Sequence, residues 1–104
     1  MAKQIHFTHD GTEYILGFTL NTVKTMQQQG FVADELATKP AIRVPELFYG
    51  SFQANHRGIK RNTVDAIWKN LKRKDDMIIA LAEMYAEAQE SIIDEGNEDW
   101  TMTE

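Results

Sequence analysis

The chain opens with strict alternation. Ile5 and Phe7, then Tyr14, Leu16 and Phe18, are apolar at every second position, which is the period of a half-buried strand. Between the two runs stands Asp10-Gly11, a pair suited to a type I′ turn, whose two central residues both need φ > 0. A two-residue loop there sets His9 opposite Thr12, Phe7 opposite Tyr14 and Ile5 opposite Leu16. The large apolar side chains then share one face. A lone hairpin is not stable in water, so other elements must cover that face.

The period then changes to that of helices. Leu20, Val23 and Met26 form one stripe over residues 20–29, with Thr19 or Asn21 as the N-cap. Gly30 stands where a helix end favours a left-handed residue, and Phe31 would pack back on Met26. Residues 33–37 predict one short turn before Lys39-Pro40. Pro45 predicts the first residue of a second helix that runs to about Arg57, with Gly58 interrupting it. Val64, Ile67, Trp68 and Leu71 predict a third helix, capped by Asn62 or Thr63. Asp75-Asp76 open a fourth, over 76–94, with Met77, Ile78, Leu81, Met84, Tyr85, Ala88 and Ile92 on its apolar face and Gly96 at its end. The order predicts an α+β domain: an N-terminal two-stranded β-hairpin followed by about four helices packed on one face, a single domain over 3–94. Residues 95–104 read as an acidic, flexible C-terminal tail carrying Trp100.

Composition narrows the function classes. At 104 residues, 42% hydrophobic and 26% charged, the chain suits one globular domain with a small core. Such a core leaves a stability on the order of 5–10 kcal/mol, which a homo-oligomer or partner would supplement. The absence of cysteine excludes disulfides, thiolate metal sites and cysteine nucleophiles, and fits a reducing cytoplasm. The N-terminus lacks the apolar core of a secretory signal, and no run has membrane-spanning length, so the expected location is cytoplasmic. The net charge of −5 is unevenly spread: residues 57–74 hold seven of the eleven Lys and Arg, whereas from Asp75 onward there are ten of the sixteen acids and no cation. That asymmetry suggests self-docking of two segments, or surfaces for different partners; the plainer reading is a solvated helix face beside an acidic tail.

Candidate chemistry is sparse. His6 and His9 sit in the hairpin near Asp10, but a metal site needs three or four converging ligands, and they read as surface histidines. On the predicted second helix Tyr49, Phe52 and His56 line up at i, i+3 and i+7. A general base there would need an orienting partner and a nucleophile, and the Ser and Thr residues lack a strained elbow motif. Paired carboxylates and a Gly-rich phosphate loop are also missing, so the reading is not an enzyme, with no catalytic, metal or cofactor residues. The helix around 46–56 is apolar over more than one stripe. Either Phe48 and Phe52 cover the hairpin face of Phe7, Tyr14 and Leu16, or part of the helix meets a partner. Phe48, Tyr49, Phe52, His56 and Arg57, with Lys60 and Arg61 flanking, are the candidate partner contacts. The basic run with Trp68 is of a kind that touches phosphates, but the negative net charge and the lack of a helix-turn-helix, RNP or zinc pattern argue against nucleic acid.

Three ordered blocks carry a family resemblance: "IHFTHDGTEYILGFTLNTVKTMQQQGF" from Ile5 to Phe31, "PELFYGSFQANHRGIKRNTVDAI" from Pro45 to Ile67, and "LAEMY" from Leu81 to Tyr85. Together they resemble a family of small proteins from the tail-morphogenesis region of long-tailed bacteriophages and prophages, similar to phage tail assembly chaperones. Where that pattern leads one to expect a second histidine beside His56, this chain has Asn55. The resemblance implies a protein of the bacterial host cytoplasm that binds the tape-measure protein, the tail-tube protein or both during tail assembly and is absent from the finished particle. Two alternatives stand beside it: a structural or tail-completion protein retained in the virion, and a small nucleic-acid-binding regulator.

Overall fold

The computed structural model describes residues 3–103. Over these residues the chain forms β1 (Ile5–His9), β2 (Thr12–Leu16), α1 (Leu20–Gln28), α2 (Pro40–Phe52), α3 (Arg61–Asn70) and α4 (Lys74–Glu90), with 3-10 turns at Ala33–Leu36 and Ser91–Ile93. This is the expected α+β order. The hairpin has the predicted register, Ile5 with Leu16, Phe7 with Tyr14 and His9 with Thr12. Asp10 and Gly11 take φ of 50° and 79°, as a type I′ turn requires.

α1 is bounded as its sequence predicts. Thr19 is the N-cap and forms a reciprocal capping box with Thr22. At the other end Gly30 takes a φ of 98°, the Phe31 N–H donates to Met26 O at 2.9 Å and the Gly30 N–H to Gln27 O at 3.1 Å, the two bonds of a Schellman motif. Met26 and Phe31 join the core, whereas Leu20 lies at its rim.

α2 departs from expectation at both ends. It begins at Pro40, and Pro45 lies inside it. Pro40 fits the first turn as well as Pro45 would. Pro45 removes one N–H whose acceptor would be Ala41; both residues are exposed, so the freed carbonyl is open to water. The helix stops at Phe52 rather than near Arg57 because its terminal groups are used elsewhere. The Ser51 carbonyl accepts the Gly17 N–H at 2.9 Å, and the chain leaves through a turn closed by the His56 N–H on Phe52 O at 2.7 Å.

α3 begins at Arg61 after Lys60, and neither Asn62 nor Thr63 caps it. Its last carbonyls are met instead by Lys74, whose Nζ donates to Leu71 O at 2.9 Å and Lys69 O at 3.4 Å. Arg73, at φ 55°, makes the sharp turn into α4. Asp75 and Asp76 occupy the first turn of α4, where the helix dipole favours them. α4 ends at Glu90, short of Gly96, and Ile92 is exposed rather than on the core face.

The core lies where the hairpin, α2 and α4 meet. Phe52 has no exposed surface and is its centre. Its ring lies 6.4 Å from Phe7, 5.8 Å from Tyr14 and 5.1 Å from Phe48, each edge-on. Phe48 continues the chain of rings to Trp68 on α3 at 4.9 Å. A second set joins Phe18 and Phe31 to Tyr85 of α4. Edge-on aromatic pairs add about 0.5–1.5 kcal/mol each to the burial of their area. Phe52→Ala is therefore expected to lower stability by about 3–5 kcal/mol in urea denaturation. A loss below about 1 kcal/mol would place the side chain outside the core.

A charged clamp fixes the start of α2. Arg43 donates to Glu35 at 2.8 Å and to Glu46 at 2.7 Å, and Lys39 pairs with Glu35 at 3.3 Å. Hydrogen bonds from Arg43, then from Lys39, hold the Glu35 carboxyl below the usual carboxylate range. A depressed folded pKa contributes stability above the ordinary carboxylate range, and the contribution is lost as pH falls through the folded value. The difference in urea midpoint between the native chain and Glu35→Gln is thus expected to be greatest near neutral pH and to close on acidification. A difference that does not change with pH would contradict the clamp.

Candidate functional site

The C-terminal half of α2 has two sides with different work. Phe52 faces Phe7 and Tyr14 of the hairpin, and Phe48 lies between Phe52 and Trp68 of α3. Both rings are buried in the core that includes Leu16, so they offer no surface to a partner in this fold. His56 is not on the helix, and its stripe with Tyr49 and Phe52 ends with α2 at Phe52. The His56 Nε2 accepts the Ile15 N–H at 2.9 Å, and Asn55 Nδ2 donates to Ile15 O at 3.3 Å. In the two-residue hairpin register the backbone groups of Ile15 and Gly17 point outward from β2. His56, Asn55 and the Ser51 carbonyl together satisfy that edge. The acceptor role assigns the ring proton of His56 to Nδ1. Its ring also stacks edge-on to Tyr14 at 5.2 Å. This histidine fastens a turn to a strand.

The other side of α2 faces a groove of about 530 Å³. Tyr49, Arg57 and Arg61 among the predicted contacts line it; Lys60 does not. Met26, Phe31 and Gly50 are buried and form its floor. Gly50 allows the floor to exist, since a Cβ there would come within 2.5 Å of Met26 Sδ. One wall is the polar face of α1, Asn21, Thr22 and Thr25, with Gln29 at its C-cap; Glu46 of α2 and Gln53 at its C-cap complete the rim. These residues were not singled out from sequence. Asn21, Thr25 and Gln29 recur at four-residue spacing, which reads equally as an ordinary solvent face.

Charge in the groove is unbalanced. The Arg61 guanidinium lies 4.4 Å over the Tyr49 ring, a cation–π stack. Arg43 occupies Glu46, the acid on the rim. Among the described residues neither Arg57 nor Arg61 has a carboxylate within ion-pair distance. The basic run of the sequence is spread along α3: Arg57 and Arg61 lie at its start, Lys74 caps its far end, and about 15 Å of helix separates them.

Among the described residues no three His, Asp or Glu side chains converge as a metal site would require. No helix is long and apolar enough to cross a membrane. The family model for DUF5055, a domain of unknown function, matches residues 1–103. The chain belongs to that family. No curated protein and no solved structure matches it. In this DUF5055 domain one segment, 49–61, which begins on α2 and ends on α3, supplies both the edge-binding turn and the side of the groove that faces α1.

His56→Leu keeps an apolar body but leaves the Ile15 N–H without its acceptor, and is expected to cost about 1–3 kcal/mol. Hydrogen exchange at the Ile15 amide should quicken by the same factor as the opening equilibrium. Unchanged protection of that amide would show that the bond is absent in solution.

Proposed function

We propose that this chain is a docking protein, resembling phage tail assembly chaperones, that holds a segment of the tape-measure protein, the tail-tube protein or both in the groove between α1 and α2. The observation that carries the reading is the groove itself: an apolar floor, a polar rim and, beside an aromatic ring, two arginines that have no ion-pair partner among the described residues. Its volume lies in the range of about 300–1,000 Å³ common for binding pockets, and polar and charged side chains make up most of its lining over a small apolar floor. A groove of this kind accepts a client segment that sets an apolar side chain on the Met26–Phe31 floor, while the rim charges steer and orient it. Arg57 and Arg61 favour a client with acidic residues flanking its apolar face. The resemblance over residues 5–31, 45–67 and 81–85 supplies the identity of the clients, and it implies the bacterial host cytoplasm as the place of action.

The test is co-expression of the tagged chain with the tape-measure and tail-tube proteins of the same genome. The native chain is expected to retain soluble tape-measure protein through purification at physiological salt. Arg57→Glu is expected to cut retention at least about 10-fold while leaving thermal unfolding nearly unchanged, since reversing a rim charge acts mainly on association. Mass spectrometry of purified particles should lack the chain. Its presence there would favour a virion component, and indifference of both clients would defeat the docking assignment to tail proteins.

A further inference from the structure

The last segment of the chain is built as a ligand for the groove. Residues 92–103 are exposed throughout. They carry Asp94, Glu95, Glu98 and Asp99 with no Lys or Arg, and they hold out Trp100 and Met102 at 77% and 81% exposure. An aromatic side chain this open is unusual on a folded monomer, and next to it Met102 adds apolar surface. The arm also projects. The radius of gyration is 15.8 Å, against about 13 Å for a compact chain of this size, and the long axis of 59 Å is nearly twice the next, 31 Å.

Its chemistry matches the groove point for point. The arm offers four carboxylates on the N-terminal side of an indole; the groove offers two guanidinium groups, without an ion-pair partner among the described residues, beside a phenol ring and a thioether floor. Indole binds well to a cation–π platform of the Tyr49–Arg61 kind, and Met26 adapts its shape to an inserted ring. We infer that residues 94–103 dock into the α1–α2 groove of a second copy, with Trp100 on the Tyr49–Arg61 stack and Glu98 and Asp99 facing Arg57 and Arg61. Residues 92–103 are exposed and none of them lines the groove of its own chain, which selects a second copy over folding back. Reciprocal exchange of two arms closes a two-fold dimer. The arm and a client then compete for one groove. This inference rests on the groove being a docking surface, not on which client it serves.

Sedimentation velocity of the full chain across the micromolar range tests it. The native chain is expected to pass from monomer to dimer, with the midpoint moving to higher concentration as salt is raised. Trp100→Ala removes the exposed ring, and Arg57→Glu with Arg61→Glu removes the site; each is expected to weaken association at least about 10-fold. Arg57→Glu alone serves if loss of the Tyr49 stack disturbs folding. Mixing the Trp100→Ala chain with the double arginine variant is expected to restore a dimer, because one copy still has a groove and the other an arm. A native chain that stays monomeric overturns the inference, including the case of an arm bound to its own groove. So does a dimer that survives both variants. A monomeric chain that still retains tape-measure protein would sink the arm exchange and leave the docking reading intact. A dimer that retains no client would do the reverse.

Discussion

The fold depends on what the end of α2 does for the hairpin. Two strands alone cannot hold a sheet in water, because one face and both edges are left bare. Phe52 covers the face, and the Ser51 carbonyl, Asn55 and His56 meet the outer edge of β2. Both tasks fall to six consecutive residues. The apolar contact and the polar contacts are therefore mutually supporting: the ring cannot seat unless the turn is pinned, and the turn has nothing to pin unless the ring brings the strand close. The groove follows from the same placement. With one side of α2 committed to the hairpin, its opposite side at Tyr49 and Gly50 is turned toward α1.

How much of this could be read in the sequence depended on how local the determining contact was. The hairpin register followed from a two-residue turn and a period of two, and α1 was bounded by Thr19 and Gly30, each acting within a few residues. α2 was misplaced at both ends. Pro40 and Pro45 are equally good openers on local grounds, and the choice is made by the Arg43 clamp to Glu35 and Glu46. The C-terminal boundary is set by Gly17, more than thirty residues away in the chain, taking the Ser51 carbonyl. Propensity has no access to such a contact. α3 opens two or three residues before its expected cap for a related reason: its N-cap position is filled by Lys60, which has no capping side chain.

The candidate contacts divided along the same line. Phe48, Phe52 and His56 were legible as important but not as inward-facing, because the helix that carries the two rings is apolar on more than one side. Tyr49, Arg57 and Arg61 did converge on one surface. The polar wall from α1 was invisible as a site, since threonine, asparagine and glutamine on a helix are ordinary solvent residues until another helix approaches them. The proposed chaperone role therefore draws on two separate kinds of support. The resemblance suggests who the clients are, and the cations around an apolar floor suggest how a client would be held.

Gly50 and Met26 give the groove a further property. A Cβ at position 50 would come within 2.5 Å of the Met26 thioether, the flexible end of that side chain. Any side chain placed there would therefore be answered by Met26 swinging aside, which reshapes the floor of the groove. The hairpin, held by Phe52 on another side of the helix, would stay as it is.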